Sequence, residues 1–258
     1  MTKNKLAGLT YDEWLGKPKR EPAQIKDLKR YSNKLIAFLD VLGIKSLIDQ
    51  HRDGNEYKAI DKIEKIRKIV ETSAGIVKRS EDIDYLQLSD SFVFVCDPKT
   101  IILLIELLST IQMRIITECQ LLLRGAITVG DALIEDEGKF IVGPAYIKAY
   151  QLQENDAIYP RIIVDKSVIK QIKKSNSATV RYLQQDSDKE FFVDYINVNM
   201  QKESLNRQKI KSRLRREDIF NFLRNSFNDN YQKENHNICQ KFGWTIQYYK
   251  KSEVWENG

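Results

Sequence analysis

Apolar residues fall along this chain in two rhythms, and the points where the rhythm changes outline a fold. Leu35 to Leu39 are uninterrupted apolar residues that end at Asp40, the pattern of a strand covered on both faces. Tyr57 to Val77 instead sets Ile60, Ile63, Ile66, Ile69 and Val70 at helical spacing, which predicts an amphipathic helix with a charged outer face. Tyr85 to Val95 is rich in aromatic and β-branched residues and breaks only at Ser89-Asp90-Ser91, so it reads as two short strands joined by a tight turn. Pro98 sits where a helix start tolerates proline, and Ile101 to Cys119 reads as a strongly apolar helix packed across a sheet. Leu121 to Ile134 predicts a strand and Lys139 to Val142 a short return. Gly143-Pro144 then opens a helix that runs to Glu154. Pro160 to Asp165 is a further strand, Lys166 to Lys173 a helix, and 179–197 another pair of short strands. From 205 onward the chain reads as two helices separated near Asn228 to Asn230. Strands alternating with helices, together with hairpins, give an α+β sandwich with one helical layer.

Two acids stand out against this pattern. Asp40 ends a buried-looking strand, where an ionised carboxylate is costly unless a cation compensates it. Asp90 occupies the hairpin tip, and if the hairpin lies beside the first strand the two carboxylates arrive together. They would then share a proton or bind a divalent cation, and hard oxygen ligands favour Mg²⁺ or Mn²⁺. Taken singly, Asp90 is also a common turn former and Asp40 a candidate cap for the helix beginning near Lys45.

Bulk properties narrow the remaining chemistry. The 258 residues suffice for a full core, either as one large domain or as one domain with an appendage. The longest apolar stretch, Ile101 to Leu108, contains Glu106 and is soon followed by Gln112 and Arg114, too short and too charged to span a bilayer. The amino-terminal sequence has no apolar signal region, so a cytoplasmic location is expected. Cys96, Cys119 and Cys239 are isolated and read as reduced packing residues, and two histidines leave little room for imidazole chemistry or zinc. The net charge of +6 is concentrated toward the end of the chain, in Lys209, Lys211, Arg213, Arg215 and Arg216. With Glu217 and Asp218 interspersed, this run reads as a solvated helix face rather than a nucleic-acid surface. Residues 1–33 read as a polar arm, 34–200 as the main folded domain and 201–258 as a helical extension, in which Trp244, Ile246, Tyr248 and Tyr249 are expected to pack back on the domain.

The order of motifs resembles a known family. Phe38, Asp40, Val41 and Gly43 at a strand end, Ser89-Asp90 in a hairpin, Arg124-Gly-Ala-Ile-Thr-Val-Gly130 and Gly143-Pro-Ala-Tyr-Ile-Lys-Ala-Tyr-Gln-Leu-Gln153 together look like the catalytic domain of class III nucleotide cyclases. With Tyr159-Pro-Arg-Ile-Ile-Val-Asp165 they are most similar to the pyrimidine cyclases of bacterial Pycsar antiphage systems. The resemblance covers residues 33 to 175. Diguanylate cyclases share the fold, but Ser89-Asp90 stands where their Gly-Gly-acidic-acidic hairpin would be.

The resemblance implies a ferredoxin-like βαββαβ core and conversion of a nucleoside triphosphate, UTP ahead of CTP, to a 3′,5′-cyclic monophosphate and pyrophosphate. It implies a homodimer with sites at the interface, and a cyclic UMP product that signals phage infection to a separate effector. It also implies two divalent metal ions, Mn²⁺ or Mg²⁺, on Asp40, Asp90 and the Val41 carbonyl, phosphates cradled on the Val41-Leu42-Gly43-Ile44 turn, and Phe38 among the substrate-binding residues. The sequence departs from the family where Ile147 and Gln151 replace an Asn and Arg pair. Arg124, Lys148 and Arg161 are candidates for the missing positive charge, with surface or structural ion pairs as the alternative. Pro144 replaces a purine-selecting polar residue. Tyr146 and Tyr150, four apart on one helix face, could stack on a pyrimidine or pack in a core or dimer interface. A cyclase-fold regulator that binds without turnover, or a nucleic-acid module on the basic helices, are the competing functions.

Overall fold

β1 (Ser32–Leu42) runs through the middle of the sheet, and its apolar run is buried because both of its faces are covered. The computed structural model describes residues 30–49, 56–77, 83–135, 140–174, 178–199 and 209–252. After β1 come the short helix α1 (Ile44–Asp49) and the long α2 (Glu56–Val77), then the hairpin β2 (Ile83–Leu88) and β3 (Ser91–Cys96). α3 (Ile101–Arg114) leads to β4 (Leu122–Glu135), β5 (Phe140–Val142), α4 (Pro144–Asn155), β6 (Ile162–Val164) and α5 (Lys166–Lys174). β7 (Leu183–Gln185) and β8 (Phe191–Val193) complete the sheet, and α6 (Lys209–Gln232) and α7 (His236–Lys251) form a helical hairpin.

The strands lie in the order β2-β3-β1-β4-β6-β8-β7, with β5 paired to β4. β1 is antiparallel to both β3 and β4, and β2 to β3, which with α2 and α3 makes the expected ferredoxin-like βαββαβ core. The polar arm read at 1–33 lies, apart from its last residues, outside the described residues.

Helices cover both faces of the sheet, where one helical layer was expected. Leu35, Ala37, Leu39 and Val41 point into the main core with Ile66, Ile69 and Val70 of α2 and Leu104, Ile105, Leu108 and Ile111 of α3. Ile36 and Phe38 point the other way, onto Ala145 and Ala149 of α4. α4 escaped prediction as a covering helix because its sheet-facing residues are alanines, which give little amphipathic contrast. Each leucine, isoleucine or valine so buried contributes about 1.5–3 kcal/mol, and each alanine less.

Two further differences from the sequence reading have local causes. The helix expected to run from Ile101 to Cys119 ends as α-helix at Arg114 and closes with a π-helical turn, Ile115–Cys119, before Gln120 turns left-handed at φ 53°. With its first 3₁₀ turn this segment, Pro98–Cys119, is long and apolar enough to cross a membrane, but Leu104, Ile105, Leu107, Leu108 and Ile111 are buried in the core. The break between the last two helices falls at 233–235 rather than near Asn228 to Asn230. Asn230 stays helical with its amide donating to the Ser226 carbonyl at 2.8 Å, and Glu234 takes the left-handed conformation at φ 58°. Trp244, Ile246, Tyr248 and Tyr249 share an apolar cluster with Ile116, Leu122, Phe192 and Tyr195. Cys96, Cys119 and Cys239 are free and buried, and burial pushes the Cys96 thiol up to about 11.

Candidate active site at the end of β1

Pairing of β1 with β3 sets Asp40 opposite Ser91, the residue after the hairpin tip, and so brings Asp40 and Asp90 together. Ser89 adopts φ 58°, which closes the two-residue turn, and the Val41 N–H donates to the Asp90 carbonyl at 3.3 Å. Pairing of β1 with β4 sets Arg124 opposite Asp40. Directly opposed cross-strand residues share a face, so these two side chains meet. Nε of Arg124 donates to Oδ2 of Asp40 at 3.0 Å, and Nη2 donates to Oε2 of Glu154, on α4, at 3.4 Å. Gln153 completes the cluster: with its carboxamide oxygen turned toward Arg124 it accepts from Nε and Nη2, each at 3.0 Å.

Burial raises the Asp40 pKa above the ordinary aspartate value. Arg124 opposes the shift, while the negative charges of Asp90 and Glu154 add to it. An acid in that position favours a second cation. Oδ1 of Asp40 and the whole carboxylate of Asp90 have no hydrogen-bond partner among the described residues. No group of three His, Cys, Asp or Glu side chains gathers around a metal position among those residues. The donor set is therefore two carboxylates, and it fits Mg²⁺ or Mn²⁺, which take one or two carboxylates and fill their remaining positions with water and substrate phosphate.

The other expected site residues divide. Phe38 is buried, and its ring meets those of Tyr146 and Tyr150 at centroid distances of 6.2 and 5.5 Å, so the stripe on α4 packs on β1, with Tyr150 still 46% exposed. The Val41 and Ile44 side chains point into the main core, leaving only their backbone for a ligand. Gly43, at φ 94°, makes the turn that links β1 to α1, a conformation that favours glycine. Leu42 packs toward α6 and α7.

Lys148 is engaged away from this cluster: its ammonium lies 2.6 Å from Oδ2 of Asp165, which also accepts from the Ser167 N–H. Arg161 is fully buried and paired with Asp186 and Asp188 beneath the Tyr159, Phe192 and Trp244 rings. It is a structural residue that fixes the β7–β8 hairpin against α7. Ile147 and Gln151 lie on the exposed side of α4.

Sequence reasoning missed Gln153, Glu154 and Lys241. The first two continue the helix face of Tyr146 and Tyr150, so extending that face by a turn would have found them. Lys241 of α7 lies within Coulombic reach of Arg124, Asp40 and Glu154 and has no local signal.

No protein-family model and no curated protein matches the sequence. Solved structures to which the chain is similar include the adenylyl cyclase CyaB from P. aeruginosa, with 13% identity, 64% of this chain and 95% of that chain covered, and a TM-score of 0.47. The guanylyl cyclase domain of the RhoGC fusion protein from Blastocladiella emersonii is 12% identical over 64% of this chain and 94% of that one, with a TM-score of 0.46. A class III adenylyl cyclase-like ATP-binding protein from Pseudomonas aeruginosa is 11% identical over 70% and 44%, with a TM-score of 0.47.

Proposed function

We propose that this chain is a metal-dependent nucleotide cyclase, joining the 3′-oxygen of a nucleoside triphosphate to its own α-phosphorus with departure of pyrophosphate. The observation that carries the reading is the meeting of Asp40, at the end of β1, with Asp90, at the hairpin tip, both with uncommitted carboxylate oxygens among the described residues. Two divalent ions on Asp40, Asp90 and the Val41 carbonyl would lower the pKa of the 3′-hydroxyl and neutralise phosphate charge.

The chain's own residues supply the rest. Arg124 carries a positive charge next to the acids, where it can stabilise the oxygens of the reacting phosphoryl group, and Gln153 and Glu154 hold its guanidinium in one orientation. Tyr150, half-exposed beside Phe38, offers a ring edge to a base. A pyrimidine substrate, UTP ahead of CTP, rests on the family resemblance and on Pro144 at the start of α4, where a purine-reading polar residue would stand. Cyclic UMP would then be the messenger to an antiphage effector. A homodimer is supported by the exposed apolar residues Phe140 and Val142 of β5 and Ile147 and Tyr150 of the adjacent α4.

A second reading, nucleotide binding without turnover, is favoured by the uncharged Ile147 and Gln151. Incubating the purified protein with Mn²⁺ and each of the four nucleoside triphosphates separates the two. The cyclase reading expects a cyclic monophosphate, from UTP foremost. A folded protein that binds UTP but yields no cyclic product from any of the four would establish the second reading instead.

A further inference from the structure

The helical hairpin of α6 and α7 and the β7–β8 hairpin enclose a groove of about 900 Å³, within the size range of small-molecule sites. Asp40, Asp90 and Arg124 do not line it, so it is separate from the acids at the end of β1. Its walls are fixed to each other. The Trp244 indole of α7 donates to Asp186 at 2.6 Å, Asp186 pairs with the buried Arg161, and the Tyr159 ring stacks on Trp244 with centroids 5.7 Å apart. A groove held open in this way loses little freedom when a ligand enters.

The wall chemistry selects the ligand. On α7, His236, Gln240, Gln247 and Lys251 recur on one helix face along the groove, and the carboxamides of Gln240 and Gln247 make no hydrogen bond among the described residues. On β7, Gln184 and Gln185 also line the groove. Their amide nitrogens donate to Asp194 at 2.6 Å and to the Lys189 carbonyl at 3.0 Å, which leaves the carboxamide oxygens as acceptors. On α6, Tyr231 is 65% exposed, and its ring lies 10° from parallel with that of Phe227 at a centroid distance of 6.2 Å, so one face is stacked and the other open.

A wall of acceptor oxygens repels an inorganic anion, and a lipid chain would leave the carboxamides unpaired. A nucleobase answers all three features: a flat ring that extends the Phe227–Tyr231 stack, an N–H donor for the β7 wall, and an edge of alternating donors and acceptors for a free carboxamide. Lys251 and His236, at the two ends of α7, add cations for an attached phosphate. We propose that this groove is a second nucleotide site, which holds a nucleoside phosphate by its base on the open face of Tyr231, with the base edge on Gln240. The site does not depend on the cyclase reading above, because no residue of the acid cluster takes part.

The test is equilibrium dialysis of the full-length protein against adenosine, guanosine, cytidine and uridine 5′-monophosphates in turn, with EDTA present to keep metal ions from the acids of β1. At least one of the four should bind with a Kd below about 1 mM. Tyr231→Ala should weaken that binding by about 5- to 150-fold, the range for one base stacked on an aromatic ring. Gln240→Ala should weaken it by about 2- to 10-fold, as for one lost hydrogen bond, and Tyr231→Phe should retain it. All three variants should melt at the wild-type temperature, since both positions are exposed. No binding of any of the four, or binding that Tyr231→Ala and Gln240→Ala leave at wild-type strength, overturns the assignment, and either result leaves the cyclase reading intact.

Discussion

Asp40 and Arg124 face each other directly across β1 and β4, with the guanidinium Nε 3.0 Å from Oδ2 of the acid. The contact offsets part of the cost of burying the carboxylate, and it also means that any metal ion on Asp40 shares the charge with a resident cation. Arg124→Ala should therefore separate two quantities that normally fall together. Mn²⁺ binding at pH 8 should tighten by a few-fold, while turnover should fall by about 100- to 1,000-fold, as for the loss of one donor that stabilises developing charge. Turnover that survives the substitution would remove Arg124 from the chemistry.

Asp90 behaves differently because its carboxylate holds nothing in place among the described residues. Its negative charge works against Asp40. Asp90→Asn should leave the metal-free melting temperature unchanged or slightly raised, and should abolish the stabilisation that Mn²⁺ gives the wild type. A large loss of metal-free stability would identify Asp90 as a structural turn residue instead.

Acid should weaken the fold through Asp165 and Asp186, both held below the ordinary aspartate value. At Asp165 burial pushes upward but is outweighed by Lys148 and Ser167. At Asp186 burial is outweighed by the Ser187 N–H, the Trp244 indole and the charge of Arg161. The unfolded chain binds these protons at higher pH than the native one, so their contribution is present above about pH 4 and is lost as pH falls through the lower folded values. Asp40, raised by burial, acts in the opposite sense. Trp244→Phe removes an indole N–H that donates to Asp186 at 2.6 Å. It should cost about 1–3 kcal/mol in urea unfolding at pH 7 and distinctly less at pH 3. Equal losses at both pH values would assign the effect to packing alone.

Gly125 lies where β4 passes β1 next to Arg124. A Cβ there would stand 2.6 Å from the Phe38 carbonyl oxygen and 2.5 Å from Leu39 Cδ2. Gly125→Ala should destabilise the protein by about 1–3 kcal/mol, because the backbone contact cannot yield. Denaturation with wild-type stability would mean that the two strands can separate at this point.

Much of this architecture is legible in local patterns. Leu35 to Leu39 announces a strand buried on both faces, and Ser89-Asp90 a turn, so the meeting of Asp40 and Asp90 follows once β1 and β3 pair. What escaped depends on long-range partners. Lys148 looked as suitable as Arg124, but residues on a helix rotate by about 100° each, which turns Lys148 to Asp165 and Gln153 to Arg124. The acids of Arg161 sit on a hairpin more than twenty residues later in the sequence, at Asp186 and Asp188. Lys241 comes from the opposite end of the chain, on a helix whose Phe242 joins the same apolar cluster as Leu42, and no motif marks it.

The most direct test counts metal ions. Mn²⁺ binding followed by electron paramagnetic resonance, with a non-hydrolysable UTP analogue present, should give two ions per chain in the wild type and fewer in both Asp40→Asn and Asp90→Asn, with each variant folded. Two ions retained in either variant would contradict the assignment of Asp40 and Asp90 as the shared metal ligands.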